Sequence, residues 1–165
     1  MLDSTREIVL QRLCDLMATQ EEGQPTGTST FSGFTVPNAY DFAWSIVQRE
    51  PLTERETKKR FALGITETDE QKSDQIQTQH AFLQVTMEFH MLLNRDEVPS
   101  TMASMILSNM ARRIRSDHTL GGVAVNMRET GNTIDVDSYA DKIVNGAMFI
   151  SILYKHATDD PRRYV

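Results

Sequence analysis

Four histidines, one cysteine and three closely spaced aspartates are the side chains of this 165-residue chain best suited to chemistry. His80, His90, His118 and His156 are never three or four residues apart, so no helical metal pair forms, and no HExxH occurs. His80 and His90 share one strand parity but would stand about 33 Å apart along that strand. Asp117-His118 has the residue types of an acid–base pair. Adjacent side chains on an extended backbone point apart, however, so a charged cap on a helix end is the expected role. Ser116 and Ser138 have no GxSxG around them, and no GxxxxGK(S/T) phosphate loop is present. Asp135, Asp137 and Asp141 are spaced like part of a calcium loop but lack the glycine at its bend. Cys14 falls inside a helical pattern and reads as structural; a single cysteine excludes an intramolecular disulfide. The expectation is a non-enzyme with no catalytic residue, no cofactor and no metal.

The strongest local signal lies in residues 117–125. The helix before it places Ala103, Ile106, Leu107, Met110 and Ile114 on one face. The strand after it alternates Val123, Val125 and Met127 with Ala124, Asn126 and Arg128. Between them Thr119, Leu120, Gly121 and Gly122 form the candidate helix-to-strand turn, with glycine where the backbone needs positive φ. A phosphate cradle would need glycines leading into a helix N-terminus. Here they follow a helix and enter a strand.

The elements around this turn follow from patterning. Ser4-Thr5-Arg6-Glu7 fits a capping box that opens a helix over 4–19. Residues 20–37 are polar and rich in turn formers, an exposed loop with room for a short strand or arm from Thr30. Phe42, Trp44 and Ile46 alternate like a strand; residues 52–59 read as a charged turn or short helix; Phe61, Leu63 and Ile65 form a second strand. Residues 66–79 are almost wholly polar and are expected to be a second exposed loop. Residues 81–93 form the clearest strand, about 43 Å long, longer than a domain of this size usually holds. Its apolar face runs unbroken to its end. Met87, Phe89, Met91 and Leu93 are therefore the candidate subunit interface. Pro99-Ser100 opens the second helix, and Arg112, Arg113 and Arg115 close it. Gly131-Asn132 signals a turn between two short strands, and residues 143–154 read as a central strand covered on both faces. The nine methionines are expected mainly to fill a core. The sum is one α+β domain over 1–165: two helices packed on one face of a mixed, mostly antiparallel sheet, with long polar loops.

Seventeen basic and 23 acidic side chains leave a net charge of −6, which argues against tight binding of nucleic-acid phosphates. It does not argue against a wall along which DNA slides. No apolar run reaches the roughly 20 residues of a membrane span, so no membrane partner is expected. Asp3, Arg6 and Glu7 interrupt any signal-peptide pattern. The chain is expected to fold in a reducing cytoplasm.

The C-terminal half resembles the tail terminator, or tail completion, proteins of long-tailed bacteriophages. The resemblance rests on a helix ending in Arg-Arg-Ile-Arg-Ser-Asp, then Asp117, Thr119, Leu120, Gly121 and Gly122 in an Asp-x-Thr-Leu-Gly-Gly turn, then strands ending near Tyr154. It covers residues 98–156, with the remainder compatible by element order. It implies a structural virion protein that assembles in the host cytoplasm as a homo-oligomer, a hexameric ring at the head-proximal end of the tail tube. Such a ring would end tube polymerisation, meet the tail tube protein and the head–tail connector protein, and let DNA pass through its lumen without specific binding. The alternative is another neck component, a head–tail connector or head-completion protein.

Overall fold

The computed structural model describes residues 4–18, 28–31, 34–37, 44–75, 77–158, 160 and 165. Helix α1 spans Thr5–Ala18. Ser4 Oγ accepts the Glu7 N–H at 3.2 Å, half of the expected capping box, while the Glu7 carboxylate goes to Arg49 instead. Strands β1 (Thr28–Phe31) and β2 (Phe34–Pro37) form a small antiparallel sheet of their own. They occupy the end of the 20–37 segment, where a short strand or arm was expected within the exposed loop; residues 19–27 and 32–33 lie outside the described residues.

The main sheet has five strands: β3 (Ile46–Gln48), β4 (Phe61–Gln75), β5 (Thr78–Leu92), β6 (Ala124–Asp135) and β7 (Ile143–Ala157), in the spatial order β3-β4-β5-β7-β6. The β3–β4 pairing is parallel and the others are antiparallel. Helix α2 spans Pro99–Ser116. The α+β architecture, with both helices against one sheet face, is the one expected. Val9, Leu10, Leu13 and Met17 of α1 and Ala103, Ile106, Met110 and Ile114 of α2 share a core with Leu83, Val85, Met87, Ile150 and Ile152. No helix among the described residues is long and apolar enough to cross a membrane.

Residues 66–79 are not a loop. They are the distal half of β4, a tight turn at Gln77 with φ of 68°, and the start of β5. Periodicity misses this strand because its partner supplies the apolar surface: Glu70 lies opposite Leu83 and Gln71 opposite Phe82. Most of its side chains are exposed, as expected. Gly131-Asn132 is likewise no turn. It lies within β6, where the register slips between Glu129 and Gly131. The chain reverses later, through a 3-10 turn over Val136–Asp141 and Lys142 at φ 59°. The strand expected around Phe42 begins only at Ile46, and residues 38–43 lie outside the described residues. Strand β7 is central, and among the described residues both long helices pack on the side of Val144, Met148, Ile150 and Ile152; on the other side Ala147 and Ser151 are buried but Phe149 stands 37% exposed, with Phe82 of β5 at 40%.

The candidate interface residues fall inside the chain's own core. Met87, Phe89 and Met91 are 0–1% exposed, and Leu93 packs partly buried against them. Strand β5 does not outrun its sheet, because β4 and β7 are each as long and pair with it from end to end. The apolar stripe from Ala81 to Met91 shares its core with α1 and α2, and neighbours of equal length pair with both edges of the strand, neither of which a single strand's own sequence can reveal.

Candidate functional site

The junction of α2 and β6 is built around Asp117. Its carboxylate accepts the Thr119 N–H at 3.3 Å, the Thr119 hydroxyl at 3.1 Å and the Gly121 N–H at 2.7 Å. Leu120, Gly121 and Gly122 follow at φ of 53°, 69° and 90°. Thr119 O then accepts the N–H groups of Gly122 at 3.0 Å and Ala124 at 2.8 Å, aiming the chain into β6. A Cβ at either glycine would meet nothing within 4 Å. The need for glycine is therefore one of backbone conformation, not of space. Leu120 accepts its left-handed φ because its side chain is buried in the core. Each of Asp117, Thr119, Leu120, Gly121 and Gly122 thus has a structural task, and the Asp-x-Thr-Leu-Gly-Gly motif works as a joint rather than a ligand cradle.

Arg113 secures the same joint from beneath. It is only 4% exposed, and its Nε donates to the Leu16 carbonyl at 2.7 Å, one of the otherwise unpaired carbonyls at the end of α1. Of the three arginines grouped at the end of α2, Arg113 is buried while Arg112 and Arg115 are exposed. The signal was present in the spacing: Arg113 lies three residues beyond Met110, on the buried stripe.

A cleft of about 510 Å³ opens between α2 and β6. Ala111, Ile114 and Met127 give it an apolar floor, and Arg115, His118, Arg128 and Glu129 rim it. Among the described residues β6 pairs with β7 on one side and has no strand on the other, so this cleft runs along an open sheet edge.

A second cleft, of about 410 Å³, lies at the β5–β7 end of the opposite sheet face, where His90, Asn145 and Asp135 align across three strands. His90 Nδ1 donates to Asn145 Oδ1 at 2.6 Å, and its Nε2 is buried without a partner among the described residues. The imidazole is held by an amide rather than a carboxylate, and among the described residues no serine or cysteine lines the cleft. That arrangement orients a ring but supplies no activated nucleophile. Its members are 55 residues apart, a pairing that only the strand register reveals.

The other sequence candidates disperse. No three His, Cys, Asp or Glu side chains among the described residues are grouped to hold a metal. Asp135 caps the 3-10 turn by accepting the Asp137 N–H at 3.1 Å, and Ser138 donates to the Asp135 carbonyl at 2.6 Å. His156 donates from Nδ1 to the Ala157 carbonyl at 2.9 Å. Cys14 is buried, and that burial is the main reason its thiol is pushed up to about 11; Arg49 pulls it back, while Asp15 and Glu7 push it further.

An ionic cluster missed by sequence reasoning ties α1 to the distal half of β4. Arg6 reaches Glu67 at 3.0 Å and Glu70 at 3.7 Å, Arg49 bridges Glu7 and Glu67, and the Tyr154 hydroxyl donates to Glu70. Burial, then the Glu70 carboxylate, push the Tyr154 hydroxyl up. Burial alone would raise Glu70, but the Tyr154 hydroxyl, Lys72 and Arg6 outweigh it and hold that carboxyl below its ordinary value.

No protein-family model matches the chain, and no curated protein matches it.

Proposed function

We propose that this chain is a structural virion protein of the tail terminator type: a ring-forming subunit at the head-proximal end of a phage tail tube, ending tube growth and offering the head-joining surface. The observation that carries this reading is the joint at Asp117–Gly122. The residues on which the resemblance rests occupy one turn between a long helix and an edge strand, and each is needed there for the backbone path. The open edge beside that turn suits a subunit whose sheet meets neighbours. On this reading the protein is not an enzyme. Its partners are copies of itself, the tail tube protein and the head–tail connector protein, and DNA crosses the lumen without specific contacts.

The test adds the purified chain to tube protein during polymerisation and measures tube lengths by electron microscopy. A terminator shortens the length distribution in proportion to its concentration and is found at one end of each tube. Tubes of unchanged length, with the chain bound only to isolated head connectors, would favour the head–tail connector or head-completion alternative.

A further inference from the structure

The sheet ends in two open edges of different character. On one side β6 has β7 as a neighbour and, among the described residues, no strand beyond it. On the other, β3 covers β4 only along Ala62–Gly64, so β4 beyond Ile65 has no described strand on its outer side. The two edges are 12 residues (124–135) and about ten residues (66–75) long. Edges of this length invite pairing unless something occupies them.

Their charges are opposite. Arg112, Arg115 and Arg128 are exposed around the β6 edge, and among the described residues none forms an ion pair within the chain. Asp69 and Asp74 are exposed on the β4 edge, also without a cationic partner among the described residues, beside Glu67 and Glu70; the edge's one lysine, Lys72, is paired with Glu70. In a chain of net charge −6, a cluster of unpaired arginines on one edge is a marked segregation.

Strand direction fits as well. Antiparallel pairing through β4, β5, β7 and β6 leaves the two outer strands running in opposite directions. Copies related by rotation about an axis lying roughly along the strands would therefore bring β6 of one antiparallel to β4 of the next. The bulges limit the ladder. Register slips in β6 between Ala124 and Asn126 and between Glu129 and Gly131, and in β4 between Glu67 and Asp69, divide the edges into regular segments: Asn126–Glu129 and Gly131–Asp135 of β6, and the stretch from Asp69 of β4. The apolar cleft beside β6 is open to a side chain from an incoming strand.

We propose that these two edges are the subunit interface: the basic α2–β6 edge of one copy receives the acidic distal β4 edge of the next, head to tail. The contact is heterologous, so it builds a ring when the rotation between copies closes, and not a two-fold dimer. The inference rests on the ring-forming reading above and replaces the apolar face of β5 as the contact surface.

The test is charge reversal and complementation, read by analytical ultracentrifugation with circular dichroism as a check on folding. One variant carries Arg115→Glu and Arg128→Glu; the other carries Asp69→Lys and Asp74→Lys. All four side chains are exposed, so both variants should fold. Each alone should self-associate about a hundredfold more weakly than the wild type, because like charges then face each other. An equimolar mixture should recover assembly, since both contacts become complementary again. If wild type assembles and both variants assemble equally well, the edge assignment is overturned while the ring survives. If the mixture recovers nothing, the loss came from elsewhere and the proposal also fails. A wild type that stays monomeric at every concentration overturns both. Assembly that follows the edge charges but never stops tube growth leaves the interface standing and removes the tail-terminator role.

Discussion

Asp117 Oδ2 accepts the Gly121 N–H at 2.7 Å, across the point where the backbone enters the left-handed region. The carboxylate and the glycine are two halves of one device. The glycine makes the turn sterically cheap, and the aspartate fixes where it happens by accepting the N–H groups of Thr119 and Gly121 within the turn. Asp117→Ala should cost about 1–3 kcal/mol, the usual penalty for leaving partly buried donors unmet. Gly121→Ala should cost about 1–2 kcal/mol as left-handed strain, with no steric addition because the space around it is empty. Urea titration of both variants checks this; wild-type midpoints in both would contradict it.

Gly146 makes the opposite demand. A Cβ there would lie 2.5 Å from Phe89 Cζ and 2.6 Å from the Thr133 carbonyl oxygen. The ring can shift, but the backbone carbonyl of a paired strand cannot without breaking its ladder. Gly146→Ala should therefore destabilise by about 1–3 kcal/mol as overpacking. Phe89→Leu in the same chain should relieve the ring clash and leave the carbonyl clash, recovering only part of the loss in a thermal melt. Full recovery would place the whole clash on the ring.

Met91 now belongs to the core, so a charge there should unfold the chain rather than divide a ring. Met91→Glu buries a carboxylate among apolar neighbours at a position with no exposure, and loss of the folded state is the expected outcome in circular dichroism. A folded Met91→Glu subunit of smaller assembly size would restore the apolar strand face as the interface.

The helices and the turn were legible because their information is local. The three-and-four spacing of Ile106, Met110 and Ile114, the proline at the start of α2, and Gly121-Gly122 state their roles within a few residues. The distal half of β4 was not legible, because Glu70 and Gln71 are made strand-like by Leu83 and Phe82 opposite, not by their own neighbours. The same limit hid the burial of Met91, which shares a core with residues of α1 and α2 far from it in sequence. Gly131 looked like a turn because a glycine in a bulge and a glycine in a turn have one sequence signature. The His90–Asn145 pair and the Glu70–Tyr154 bond join residues too distant in sequence to be paired before the register was known.

Glu70 should make stability depend on acid. Its carboxyl is held below the ordinary value of 4.5 in the folded chain. A depressed carboxylate contributes stability above the unfolded value and loses it as pH falls through the folded one. Between about pH 6 and about pH 3, wild type should therefore lose more stability than Glu70→Gln. Parallel urea-midpoint curves for the two would show that the Arg6, Lys72 and Tyr154 contacts add nothing in solution.

Cys14 should be nearly inert. Burial favours the protonated thiol, and only the thiolate reacts. At about pH 8 its alkylation by iodoacetamide should be about a hundredfold slower in the native protein than in urea. Equal rates would mean that α1 opens readily.

The proposed role is tested most directly by imaging the particles formed when this chain is absent. Negative-stain micrographs of a phage lysate lacking the protein should show overlong tubes of scattered length, with filled heads unattached. Tubes of normal, uniform length beside unjoined heads would contradict a terminator and assign the chain to the connector instead.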